Sequence, residues 1–254
     1  LYVSTEEKLR KMLTEVYGNI PIKTLSKLLS LPPRTISEWR RKLGIAKTVS
    51  KYQYEKQPFN GDNKLKAYLL GLANDLNIKE TSVSIRVSIA TTHPAMEKLL
   101  ATIFKIKFYR KYPAKRKHPQ TGEQRYVYEI TFLLHKSYRF LMWKYNIRRL
   151  KKVIDSKYWM YYIAGLIDAD GSIIITMKNT VENGIEIASA NFKFLNYILN
   201  ILRRKMGING RIREKKNKLG KAYVLEIYGN KKVCDLLGIL PIKHPEKAFI
   251  KHLI

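Results

Sequence analysis

Cysteine is almost missing from this chain: Cys234 stands alone among 254 residues. That excludes a disulfide framework and a cysteine-based zinc site. Long apolar runs are missing as well. No segment approaches the ~20 residues of a membrane-spanning helix, and no N-terminal stretch has the layout of a secretory signal. An intracellular, nucleoid-associated protein with no membrane partner is expected. Acid is scarce, with 20 Asp and Glu against 49 Lys and Arg and a formal net charge of +29. Such an excess of like charge costs self-repulsion unless a polyanion relieves it. A Lys-rich thermophile surface would bring Glu along with Lys. The imbalance therefore points to nucleic acid in preference to an anionic membrane.

What is present suits a folded protein. Hydrophobic residues make up 45% of the chain, which argues against bulk disorder, and the length allows two or three compact units. Abundant Lys, Ile and Tyr hint at a thermophile. Helical spacing recurs at 6–17, 22–30 and 33–43, with Pro32 and Pro33 at the second junction and Gly44 after the third. A polar stretch follows that holds Pro58 and Gly61. The domains expected are 1–48, a linker at 49–63, and two related halves at 64–148 and 149–254. Each half opens on an apolar helix with a central glycine, Gly71 or Gly165. Alternating strands are expected at 83–90, 106–112 and 125–134 in the first half. In the second they are expected at 172–178, 185–190, 210–216 and 222–228. The phrase Val127-Tyr128-Glu129-Ile130 returns as Val224-Leu225-Glu226-Ile227. A duplicated αββαββα unit is the simplest account, giving an α+β fold.

The second half carries the string Ile163-Ala164-Gly165-Leu166-Ile167-Asp168-Ala169-Asp170-Gly171. Ala164 and Gly165 lack bulk, so a second helix bearing Gly71 can approach along the backbone. Asp168 and Asp170 fall in the last helical turn, the wrong end for negative charge, before Gly171, which is expected as a left-handed cap. A hard cation such as Mg²⁺ would resolve that conflict.

This string resembles the nine-residue signature of the LAGLIDADG homing endonucleases at eight positions, and the duplicated unit extends the resemblance over about residues 64–254. The resemblance implies a saddle of two antiparallel sheets and one catalytic, metal-binding acid from each half, Asp170 in the second. It also implies basic residues near the metal, of which Lys243 is the candidate. Asp168 matches a position given to helix-end structure. The first copy departs from the signature, reading Leu69-Leu70-Gly71-Leu72-Ala73-Asn74-Asp75-Leu76-Asn77. Leu76 stands where the acid belongs and Asp75 comes one residue early, about 100° away on a helix. Asp75 serves as the second metal ligand only if something compensates for that displacement.

Residues 22–45 resemble a helix-turn-helix that would offer Arg34, Thr35, Ser37, Arg41 and Lys42 to a major groove, with Ile36 and Trp39 packed inward. In the halves, alternation groups basic and hydroxyl residues into rows: Ser84, Arg86 and Ser88; Lys107, Tyr109 and Lys111; Thr176 and Lys178 after Ser172; Arg211, Arg213 and Lys215. Such rows could follow a major groove. The run from Lys111 to His118 reads as a basic loop. The expected partner is double-stranded DNA and the expected state a monomer. Two functions stand open: a site-specific DNA-binding protein with impaired cleavage, similar in its parts to bacterial sporulation regulators, and an active Mg²⁺-dependent endonuclease associated with an intron or intein. RNA maturation is a third implication of the resemblance.

Overall fold

A computed structural model of the protein describes residues 22–42, 56–106, 109–117, 124–177, 181–217 and 220–254. The chain divides into two compact units that part between Glu55 and Lys56. The expected helix at 6–17, Gly44, Lys107 and Lys178 lie outside the described residues, as do the side chains of Trp39, Arg41, Lys42 and Thr176.

In the first unit, α1 (Ile22–Leu29) and α2 (Pro33–Lys42) are joined by a tight turn. Ser30 adopts φ 53°, and the Leu31 N–H closes back on the Ser26 carbonyl at 3.2 Å. This left-handed cap lets the chain reverse, and Pro33 then starts α2 where a missing N–H costs nothing. Ile36 is buried.

The second unit holds two four-stranded antiparallel sheets with the same topology. The first has the order β1 (Asn77–Glu80), β2 (Ile85–Thr91), β4 (Gln124–Leu134), β3 (Arg110–Lys117). The second has β5 (Gly171–Met177), β6 (Val181–Ser189), β8 (Gly220–Tyr228), β7 (Arg211–Asn217). Each sheet follows a leading helix, α3 (Asn63–Leu72) or α6 (Trp159–Asp170), and each contains a crossing helix, α4 (Pro94–Ile103) or α7 (Phe192–Met206). The first half closes with a 3-10 segment (Lys136–Tyr145) and α5 (Ile147–Ile154), the second with α8 (Asn230–Ile239) and α9 (Pro245–Leu253). Caps fix the starts: Asp62 accepts from the Leu65 N–H at 2.8 Å, and Asn191 from the Phe194 N–H at 3.1 Å. None of the described helices is long and apolar enough to cross a membrane.

One core runs through both halves. Alternate strand residues (Ile85, Val87, Ile89, Ile130, Phe132; Ile185, Ile187, Leu225, Ile227) turn to it, and so do most residues of α3 and α6. The sequence reading missed β1 entirely. The strand is four residues long with one buried side chain, Ile78, too little for alternation to register. The basic run from Lys111 is also corrected: residues 110–117 form strand β3, paired with β4 from Arg110↔Thr131 to Lys117↔Gln124. Pro113 fits there because β3 is an edge strand, where a missing N–H breaks no ladder.

Candidate active site and nucleic-acid interface

The paired helices α3 and α6 meet at their glycines. A Cβ on Gly71 would stand 2.1 Å from the Tyr162 carbonyl oxygen, and one on Gly165 would stand 2.0 Å from that of Tyr68. The two contacts are symmetric counterparts, each glycine facing the carbonyl three residues before the other. Ala164 is buried in this interface region. The tyrosines three residues before each glycine reach across the pair. Tyr68 Oη donates to Asp168 Oδ2 at 2.7 Å. The Tyr162 hydroxyl is buried near the Asn74 amide, without a hydrogen bond of good geometry. Burial, with the charge of Asp168, pushes the Tyr68 hydroxyl far above the usual phenol range, so it remains a donor.

Asp168 is fully buried and bound to structure. Its Oδ2 also accepts the backbone N–H groups of Lys243 at 2.7 Å and His244 at 3.1 Å. Gly171 is not a left-handed cap. It has φ −81° and ψ 150° and is already the first residue of β5. Its missing side chain is needed for a different reason: a Cβ would lie 2.6 Å from the Ile167 Cα.

Asp75 and Asp170 line one cleft of about 370 Å³, with Thr91, His93, Ser172 and Lys247 also in its wall. The acid expected to point away therefore opens onto the same space as its counterpart. The backbone supplies the compensation. Helix α3 ends at Leu72 and gives way to a 3-10 turn over Ala73–Asp75. At ~2.0 Å and ~120° per residue, against ~1.5 Å and ~100° in an α-helix, three such residues add about 1.5 Å of rise and about 60° of rotation. That supplies most of the missing residue. Leu76 then leaves in extended conformation and buries its side chain at 1% exposure.

Burial and then the Asp170 charge push the Asp75 carboxyl up to about 7, while Lys247 and Lys144 pull it down. Asp170 is raised by burial and lowered by the same two lysines. Each lysine also caps one of the paired helices. Lys247 Nζ donates to the carbonyls of Ile167 at 2.6 Å and Asp168 at 3.0 Å. Lys144 Nζ donates to the Ala73 carbonyl at 2.8 Å and to that of Leu76. A cation at a helix C-terminus is favourable on its own account, so one ammonium serves both the helix end and the carboxylates. Lys243 is placed otherwise: its ammonium lies 5.1 Å over the Tyr68 ring, outside the cleft wall. Sequence reasoning missed Lys144 and Lys247. Among so many lysines the only pointer was position, each following the strands of its own half. Among the described residues no three His, Cys, Asp or Glu side chains converge. Four acids line the cleft; Asp168 is engaged by Tyr68 and two backbone N–H groups and Glu246 lies 3.4 Å from His93, which leaves Asp75 and Asp170 as the pair at the helix ends.

The strand faces opposite the core are polar. In the second sheet, Ser172, Glu186, Glu226 and Arg211 pair straight across four strands, and Arg213, Lys215 and Thr176 share their parity. In the first sheet, Arg86 and Ser88 lie on the outer face, in register with Leu133 and Thr131. Arg110 pairs with Thr131 and Tyr112 with Glu129, so these two join Arg86. Tyr109 and Lys111 do not: both turn to the helix side, each 2.5 Å from Glu97 of α4. Ser84 is a second correction. It is buried, and its N–H and hydroxyl are engaged with Thr81 in the β1–β2 turn. In the first unit Arg34 and Ser37 are exposed, Thr35 is half-buried, and Arg34 lies 3.3 Å from Glu38.

Comparison with known proteins agrees with this architecture. The family described as LAGLIDADG-like domain matches residues 158–240. The chain carries a LAGLIDADG-like domain. The match spans α6 to α8, the half with the intact signature, and the first half follows the same topology. Among solved structures, the homing endonuclease I-WcaI bound to its DNA recognition sequence is 16% identical, with TM-score 0.55 over 89% of this chain and 96% of that one. Full-length DUF199/WhiA from Thermatoga maritima is 15% identical, with TM-score 0.50 over 76% of this chain and 60% of that one. Both share the LAGLIDADG fold with this chain. No curated protein is significantly similar to it in sequence.

Proposed function

We propose that the protein binds a specific double-stranded DNA site and cuts its backbone at the foot of the paired helices with a divalent metal ion. The observation that carries this reading is the shared cleft of Asp75 and Asp170, each under the influence of Lys144 and Lys247. Two like-charged carboxylates held together need positive charge. An all-oxygen pair with room for water suits Mg²⁺ or Mn²⁺ better than a softer metal. When bound, such an ion supplies an activated water and stabilises the leaving oxygen. Asp75 and Asp170 would hold the ion, and Lys144 and Lys247 would offset charge that develops on the phosphate. The DNA lies along the outer strand faces, with Arg86, Ser88, Arg110, Arg211, Arg213 and Lys215 toward the groove and backbone. The α1–α2 pair adds a second contact through Arg34, Thr35 and Ser37, and Arg41 and Lys42 belong to the same helix. The likeness of fold to I-WcaI, a homing endonuclease bound to DNA, supports this reading, as does the net charge of +29. One chain contains both halves, so a monomer suffices.

The test is a cleavage assay with Mg²⁺ or Mn²⁺ on a plasmid that carries the flanking DNA of the gene. Double-strand cuts are expected, and Asp170→Asn and Asp75→Asn should each abolish them. Wild-type protein that binds this DNA without cutting it would assign the chain to regulation instead. Absence of any salt-sensitive affinity for duplex DNA would defeat both readings.

A further inference from the structure

Glu226 sits in β8, an inner strand of the second sheet, on the outward face, and yet its side chain is only 2% exposed. A carboxylate so covered is costly unless its lone pairs are filled. Two arginines of the edge strand fill them. Arg211 Nε donates to Oε2 at 2.5 Å, and Arg213 Nε donates to Oε1 at 2.7 Å. Burial pulls the carboxyl up, but the two arginines together outweigh it and hold it below the usual range. The arginines themselves stay open to solvent, at 74% and 49%. The next residue across the sheet, Glu186, accepts from Tyr228 Oη at 2.7 Å. At the matching position in the first sheet, Glu129 accepts a tyrosine hydroxyl, Tyr112 Oη, at 2.5 Å.

We infer that Glu226 is a positioning residue for sequence reading: it latches Arg211 and Arg213 by their Nε edges and sets their Nη ends as a fixed pair for two closely spaced guanines. The inference rests on the DNA-binding reading above. An arginine reads guanine by donating two hydrogen bonds to O6 and N7. With Nε engaged, the two Nη groups remain for that task. A long arginine side chain surrenders rotamer freedom on binding, and the latch removes that freedom before DNA arrives. Residues two apart on a strand are about 6.6 Å apart, close to two base steps of ~3.4 Å. One carboxylate drawing both heads inward keeps the guanines no more than one base pair apart.

The experiment selects duplexes from a randomised library with the full-length protein and with Glu226→Gln, in Ca²⁺ to prevent cutting. The wild type should select a motif containing the close guanine pair. In Glu226→Gln the preference at those two positions should fall at least about tenfold, measured as the ratio of Kd for the selected duplex and one lacking the guanines. Affinity for random duplex should hold or rise, because a negative charge is gone. A merely structural glutamate would lower both affinities together. Retention of the same motif and ratio in Glu226→Gln overturns the inference. Should that variant fail to fold, Arg211→Lys/Arg213→Lys decides, since it keeps charge but loses the fork; an unchanged motif there overturns the inference equally. A wild type that enriches no motif would defeat the DNA-binding reading itself, a different result from an indifferent Glu226.

Discussion

Helix α6 stays α-helical through Asp170, whereas α3 yields at Ala73 to a 3-10 turn and delivers Asp75 from one position earlier. The two ends differ in register but open onto the same cleft. They differ as well in what holds them. In the second half a buried carboxylate, Asp168, gathers a tyrosine from the opposite helix and two backbone N–H groups. In the first half the corresponding Asn74 turns its amide back to the carbonyl of Gly71 at 2.8 Å. The lesson is that a displaced residue is not a displaced function. The geometry of the last turn decides where a side chain opens, and a tighter winding can absorb a missing residue.

The strongest way to break this comparison is to move the first acid into the position that the signature prescribes. Asp75→Ala/Leu76→Asp should cut DNA at least ~100-fold more slowly than wild type, beyond the usual effect of a mutation one shell from a metal. It should also melt earlier, because position 76 is core. Activity near wild type in this double variant would mean that the tighter turn has been misread. Next in size is the shared axis of the two helices. Gly71→Ala and Gly165→Ala each drive a methyl into backbone. Each should cost about 2–3 kcal/mol, or roughly 5–10 °C in Tm for a domain of this size. Similar losses at the two sites are expected, and a tolerant Gly71 would show that the halves do not share the interface equally.

The smallest effect concerns pH. The folded value of Asp75 is about 7 against an ordinary 3.8. The folded state therefore holds a proton between these values that the unfolded chain has released. Its contribution to stability is complete below the unfolded value and is lost as pH rises through about 7. The carboxylate lies in the cleft wall but is partly exposed there, so screening reduces the effect to a few degrees of Tm. In chelator, Asp75→Asn should flatten the fall in Tm between pH 5 and 8 and melt slightly higher at pH 8. An unchanged slope would separate Asp75 from Asp170.

Much of this was legible beforehand. The signature at Ile163–Gly171 predicts a tight helix pair, and the repeated Val-x-Glu-Ile phrase predicts equivalent strands. What could not be read was phase. Ahead of strand β3, Ile106 and Phe108 alternate with Lys107, Tyr109 and Lys111 and set a phase that the strand, which begins only at Arg110, does not keep. The register with Ile130 and Thr131 decides it. In the second sheet, Ile212 supplies the phase, and Arg211, Arg213 and Lys215 fall on the face expected. Strand β1 was too short to show alternation. The 3-10 turn left no mark in composition, and Lys144 and Lys247 owe their importance to where the fold carries them.

Strands β1, β3, β5 and β7 leave four open sheet edges, and open edges invite the same strand from another copy. On two of them the chain places several cations: Arg110, Lys111 and Lys115 along β3, and Arg211, Arg213 and Lys215 along β7. Copies that meet edge to edge would bring these rows into opposition, and repulsion would part them before any ladder could form. Arg110, Arg211, Arg213 and Lys215, proposed to grip a duplex, thus also guard against aggregation. Neutralising them to study DNA binding should make the protein less soluble as well as less adhesive.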